Sequence, residues 1–433
     1  WAVFIVSALF GVIAQKTHFC TMGAISDVVN MGDWNRLRQW AMAVGVGMIG
    51  FASMVWLGWI DPGKSIYAGT RWIWLSALVG GAFFGFGMVL ASGCGSKTLV
   101  RIGGGNLKAL VVFFVMGFAA FAPLKGTPAV LRVATVDRVA VEIKSGTQLP
   151  GMVASVLGLD ARIAGLVLAG LIGGALIVWA LAGRDFRKAD NLLAGFGIGA
   201  VVVAMWWVSG RLGYVAEHPE TLQEAFLGTT TGRMEALTFT APMAYTLDWF
   251  VFFSDKSKVL TLAVVSVFGV VAGSALWALL SRSFRWEGFA STEDLANHLV
   301  GATLMGIGGV TAMGCTVGQG LSGMSTLSIT SMVAVLGIAA GAVAAFRYQM
   351  WRPDPTPWWG PRQRTGRRNH RLRRVRICSA GSAGLIASWA GRRQIGCARG
   401  MFWWWGSGGL VHGLQKLWPE PVWAVSVWWT WTM

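Results

Sequence analysis

The sequence predicts an all-α, multi-pass membrane protein: a helical bundle of two inverted repeats whose helices break around a central pore. Three observations carry this reading. Charged residues make up 13% of the 433-residue chain against 55% apolar, about half the charged share of an ordinary soluble domain. Apolar runs reach or approach the roughly 20 residues that a bilayer core demands. A 17-residue apolar segment ending in Gly-Cys occurs twice, at residues 78–94 and 299–315.

The first apolar run, residues 1–14, is short and has no basic leader, so it reads as a truncated first helix rather than a signal peptide. Spans are predicted near residues 40–60, 73–91, 163–181, 192–207, 259–280 and 329–346, with a further apolar stretch at 107–124. Two connections, 125–162 and 209–256, are longer and are expected outside. The second, with "TTTGRMEALTFTAPMAYTLDW", is expected to hold short re-entrant pieces. The membrane domain is thus 1–350, with halves of approximately 1–160 and 161–350.

Between "LVGGAFFGFGMVLASGC" and "LVGATLMGIGGVTAMGC" nine of seventeen positions are identical without a gap, the self-similarity to seek first in such a chain. Each copy runs into a Gly-rich break, "GSKTLVRIGGGN" or "TVGQGLSGMSTLS", and then into another apolar stretch. Short basic loops with Arg36 and Arg38, with Arg184, Arg187 and Lys188, and with Arg282 and Arg285 read as cytoplasmic, and Arg347 follows the last span. Three spans separate the copies, and an odd number reverses direction. The halves are therefore expected to be inverted, with a path near the midplane between two broken helices.

The net charge of +17 invites a nucleic-acid reading, but its distribution excludes one. From Arg347 onward fourteen Lys and Arg face only Asp354 and Glu420, which leaves about +5 for everything before. Residues 351–433 are rich in Arg, Trp, Pro and Gly without helical or strand period. This tail reads either as an out-of-frame translation or as a basic arm on anionic headgroups. No chemistry is assigned to it, and Cys378 and Cys397 are set aside.

Three cysteines remain. Breaking a helix inside a bilayer frees backbone N–H and C=O groups, which is tolerated only where they line a cavity or are buried in protein. The breaks beside Cys94 and Cys315, with Gly93, Gly95, Gly314 and Gly318 as their conformational hinges, therefore mark a pathway, and the inverted alignment brings the two thiols face to face. Cys20, in "QKTHFCTMGAISD", ends another apolar helix and is a third candidate. Backbone N–H groups at such hinges favour an anion. Lys97 and Arg101 either add attraction at the mouth or snorkel to headgroups. Neutral thiols are weak, polarizable donors suited to a soft sulfur acceptor, whereas sulfate or phosphate is better served by harder donors.

Other chemistry fits less well. "GCGSKT" lacks the upstream glycine of a nucleotide-binding loop. His18 and Cys20 make an incomplete metal set, so no cofactor and no resident metal is expected. Copper(I) as cargo stays open through Met22 and Met313. So does a membrane-bound sulfurtransferase, in which a base such as His18 would activate a thiol.

The segments "HFCTMGAISD", "SGCGSKTLVRIGGGN" and "GCTVGQGLSG" resemble the YeeE/YedE family of bacterial inner-membrane transporters, the similarity running from about residue 5 to 351. The resemblance implies an hourglass-shaped, pseudo-symmetric helical protein that takes up thiosulfate without enzymatic chemistry. It implies that Cys20, Cys94 and Cys315 pass the anion along by S–H to sulfur contacts. It also implies a small TusA-type sulfurtransferase as cytoplasmic partner, while some relatives are tied to selenium, so another sulfur or selenium species is the alternative cargo. The tail departs from the family pattern. Ending the chain after Trp351 is accordingly expected to leave membrane insertion and uptake of labelled thiosulfate intact. Loss of insertion in fractionated membranes would make the tail structural.

Overall fold

The computed structural model describes residues 1–217, 222–255, 259–289 and 291–351; the tail, with Cys378 and Cys397, lies outside them. The described chain is a helical membrane bundle. Its helices are α1 (Ala2–Thr17), α2 (Thr21–Ser26), α3 (Asn35–Trp56), α4 (Trp74–Leu90), α5 (Gly95–Gly103), α6 (Leu107–Lys125), α7 (Thr127–Ala134) and α8 (Leu149–Leu157). There follow α9 (Ala161–Leu181), α10 (Ala189–Leu192), α11 (Ile198–Trp207), α12 (Thr240–Val251), α13 (Leu262–Leu280), α14 (Thr292–Thr311) and α15 (Ile329–Trp351). Among the described residues eight helical stretches are long and apolar enough to cross a bilayer. The first runs from Ala2 to Met31, so the short opening run is the start of a full stretch that continues through α2. Both long connections fold back on the bundle. The first contains α7 and α8, and the second contains α12, in the place where re-entrant pieces were expected. The sheet content described is two antiparallel pairs of two-residue strands, Arg71–Trp72 with Val141–Glu142 and Tyr214–Val215 with Ala225–Phe226.

Small residues decide how the helices meet, because lipid tails are as apolar as leucine and helix association in a membrane depends on close backbone approach. A Cβ on Gly80 would strike the Ala312 nitrogen and lie 2.8 Å from the Gly308 carbonyl oxygen, and one on Gly308 would lie 2.6 Å from the Gly80 oxygen. Likewise Gly87 and Gly301 leave 2.5 and 2.6 Å to each other's carbonyl oxygens. The early residue of one helix meets the late residue of the other, so α4 and α14 run antiparallel. In the sequence alignment Gly80 matches Gly301 and Gly87 matches Gly308, so the contacts are reciprocal. The flanking pairs follow suit. A Cβ on Gly85 of α4 would strike the Ile338 oxygen of α15, and one on the matching Gly306 of α14 would strike the Met116 oxygen of α6 at 2.6 Å.

The outer surface carries exposed Leu9, Phe83, Phe118, Leu171, Val178, Leu276 and Leu336, an apolar belt that suits lipid and would be an aggregation liability in water. At one end Arg38 stacks on Trp179 at 5.5 Å, and Gln39 donates to Asn191 at 2.7 Å. These contacts hold together two of the basic loops that were assigned to the same side. Placing Val at Gly80 or Gly308 is expected to destabilise the α4–α14 crossing by roughly 1–3 kcal/mol or more through overpacking. Gly174→Ala, a site with open space around its Cβ direction, is the control. Melting of the detergent-solubilised protein checks this, and equal melting of all three variants would disprove it.

Candidate functional site

The three cysteines occupy one local structure repeated three times. Each follows by two residues a non-glycine residue in the left-handed region: His18 at φ 53°, Ser92 at φ 55° and Met313 at φ 58°. Such residues reverse the chain at a helix C-terminus. In the two aligned copies the next residue closes the helix with a bond six residues wide, Gly93 N–H to the Met88 oxygen and Gly314 N–H to the Gly309 oxygen, both 2.8 Å. Each cysteine carbonyl then accepts the first bond of a new short helix, from Ala24, Thr98 or Gln319 at 3.0, 2.9 and 2.8 Å. A second left-handed residue, Gly32, Gly105 or Leu327, ends each short helix before the next long one begins.

All three sulfurs are buried, with Cys94 and Cys315 at 0% exposure and Cys20 at 9%. Cys20 Sγ accepts the Gly23 N–H at 3.5 Å, and Cys315 Sγ accepts the Gly318 N–H at 3.4 Å. Both satisfy a donor freed by the break. Cys94 Sγ lies 3.2 Å from Ser96 Oγ. The Cys20 and Cys94 thiols face each other. Thr316, the neighbour of Cys315 in the chain, brings its hydroxyl beside Cys94, and Thr238 Oγ1 lies 3.9 Å from Cys315 Sγ. The breaks therefore meet in one buried cluster that joins thiols to hydroxyls. Among the described residues no group of three His, Cys, Asp or Glu is close enough to hold one metal ion.

The glycines flanking the cysteines act differently from expectation. None of Gly93, Gly95, Gly314 and Gly318 has a positive φ; Ser92 and Met313 make the turns instead. The glycines provide room. A Cβ on Gly318 would come 2.5 Å from Thr238 Oγ1, one on Gly314 would come 3.1 Å from the Gln319 side chain, and one on Gly93 would come 3.2 Å from the Lys97 stem. Gly95 faces Met116, Met243 and Phe239 at 3.3 to 3.6 Å. Lys97 is half-buried, within electrostatic reach of Cys20 and Cys94, and has no carboxylate at ion-pair distance among the described residues. It has not snorkelled free of the cluster. His18 is the left-handed residue that ends α1.

Several residues escaped the sequence reading. Tyr67 donates from its hydroxyl to the Gly318 oxygen at 2.6 Å across 251 residues. Gln319, at 0% exposure, donates to the Ala312 oxygen at 2.7 Å and accepts from Ser331 at 2.5 Å, so one amide ties the end of α14 to α15. One signal was readable: "CTMG" at 20–23 and "CTVG" at 315–318 share Cys-Thr-x-Gly, and the shared glycine is the one whose N–H reaches the sulfur. Thr238 and Tyr67 had no such signal.

Comparison with known proteins adds a family and named relatives. The profile of the family described as "Sulphur transport" matches residues 16–344. The thiosulfate transporter TsuA of Spirochaeta thermophila is 26% identical over 351 residues, covering 79% of this chain and 96% of the relative. TsuA of Escherichia coli is 27% identical over 330 residues, covering 73% and 85%. A probable transporter of E. coli, YedE, is 33% identical over 92 residues, 21% of each chain.

Burial makes a testable order of thiol reactivity. In the folded protein a maleimide is expected to modify Cys94 and Cys315 at least about tenfold more slowly than after unfolding, with Cys20 intermediate, because a thiol without solvent access does not react as thiolate. Peptide mass mapping reads each site, and fast labelling of Cys94 in the folded state would contradict the buried placement.

Proposed function

This chain belongs to the sulphur transport family, and from that premise we propose that it carries thiosulfate inward along a path lined by the thiols of Cys20, Cys94 and Cys315. It is a multi-pass protein of the bacterial inner membrane, and its family and named relatives are transporters rather than enzymes. The thiosulfate transporters it resembles over most of their length support the substrate.

The observation that carries the mechanism is the recurrence of one hinge, with a cysteine at the same position each time, in a buried cluster at the breaks of three helices. A single buried cysteine is ordinarily a small hydrophobe. Three at equivalent turns, two of them with sulfurs taking the backbone N–H three residues on, are a designed lining. Neutral S–H groups offer weak, polarizable donors to the terminal sulfur of thiosulfate, and a series of them lets the anion step from one to the next without binding too tightly at any. The reciprocal glycine contacts of α4 and α14 support the inverted-repeat reading, in which the path crosses near the midplane. Gly93, Gly95, Gly314 and Gly318 keep side chains out of the turns, and Lys97 adds positive potential beside Cys20 and Cys94. On the cytoplasmic side the proposal includes a small TusA-type sulfurtransferase as receiver, the partner implied by the family resemblance.

Replacing Cys94 or Cys315 by Ala is expected to lower thiosulfate uptake at least about tenfold while the protein stays in the membrane, since the cap from Cys315 is worth only about 1 kcal/mol and Cys94 makes no side-chain cap. Serine keeps a donor of similar size but is harder than a thiol, so it is expected to fail nearly as badly. Uptake of labelled thiosulfate by cells is the measurement. Serine variants transporting at the parent rate would reduce the path to a generic anion route.

A further inference from the structure

Thiosulfate has two chemically different ends. The thiols suit its terminal sulfur, but its three sulfonate oxygens are hard acceptors that lose their water on entering a buried path and need donors there. Most buried hydroxyls near the breaks are already committed. Thr98 donates to the Cys94 oxygen, Ser322 to the Leu237 oxygen, Ser325 to the Ser322 oxygen and Thr326 to the Gly323 oxygen, all within 3.1 Å.

Thr316 is different. It is 2% exposed, and among the described residues its Oγ1 makes no hydrogen bond of standard geometry, yet it stands beside the Cys94 thiol. Among the described residues Thr238 Oγ1 reaches only the Cys315 sulfur, at 3.9 Å, and Ser96 Oγ only the Cys94 sulfur, at 3.2 Å. A buried hydroxyl without a strong acceptor is a cost that a fold retains where something else supplies the acceptor. The surroundings of the two aligned cysteines also differ in one respect. Cys94 faces a second thiol, that of Cys20, whereas Cys315 faces the hydroxyl of Thr238. Soft and hard donors thus lie side by side in the same cluster.

Resting on the transport reading above, we propose that Thr316, with Thr238 and Ser96, binds the sulfonate oxygens of thiosulfate while the thiols of Cys94 and Cys315 hold its terminal sulfur. The site then selects an anion with one soft and one hard end. Sulfate has no soft atom for the thiols, and hydrosulfide has no oxygens for the hydroxyls.

The test uses the full-length protein in detergent, titrated calorimetrically with sodium thiosulfate. Thr316→Val removes the hydroxyl at nearly constant volume, and Thr316→Ser keeps it. The Kd for thiosulfate is expected to rise about tenfold or more in Thr316→Val, as for losing a hydrogen bond to a charged acceptor, and to stay within about twofold of the parent in Thr316→Ser. Thr238→Val is expected to move in the same direction. Parent-like binding by Thr316→Val, or binding by Thr316→Ser as weak as by Thr316→Val, would overturn the role of the hydroxyl while leaving thiosulfate transport standing. A parent protein that does not bind thiosulfate would overturn the transport reading, and this assignment with it.

Discussion

A helix broken inside a bilayer must find partners for the backbone groups that it frees, because there is no water to take them. The rest of this structure depends on that constraint. At each break the chain supplies its own repair. Cys20 and Cys315 take an N–H on sulfur. The Gln319 amide covers the Ala312 carbonyl, Tyr67 covers the Gly318 carbonyl, and Thr98 covers the Cys94 carbonyl. Cys20 and Cys315 both repair a break and belong to the buried cluster, so the same residues serve the fold and the candidate site.

The glycine crossings extend this constraint to the whole bundle. Gly80, Gly87, Gly301 and Gly308 let α4 and α14 cross at backbone distance, with the end of each helix beside the start of the other. The register of those contacts is reciprocal, so the two copies of the repeat pack on each other in the same way. The mixed donor set depends on both copies of the repeat, since Thr316 of the second stands beside Cys94 of the first.

Much of the architecture was legible in the sequence, for identifiable reasons. Spans announce themselves because each must be continuously apolar over bilayer thickness, and α9, α13 and α15 lie close to where their apolar runs put them. The ungapped repeat exposed Cys94 and Cys315 as equivalent positions. The third hinge was less visible, since α1 shares little sequence with α4 and α14 and only the Cys-Thr-x-Gly element links Cys20 to Cys315. The glycines beside the cysteines were visible as glycines but not in their role. A sequence does not distinguish a glycine needed for its dihedral angle from one needed for the space that a Cβ would fill, and here Ser92 and Met313 adopt the unusual angle.

By itself, then, the sequence determined that this chain lives in a membrane, that it repeats, and that two of its cysteines occupy matching breaks. These properties depend on composition and local order, which a linear text carries in full. Only the tertiary structure decided which side chains meet at the breaks. Thr238 lies 77 residues from Cys315, and Tyr67 lies 251 from Gly318. Their contacts exist because helices far apart in the chain cross at glycine-sized distances, and the energy of such a crossing belongs to pairs of surfaces that no single segment contains.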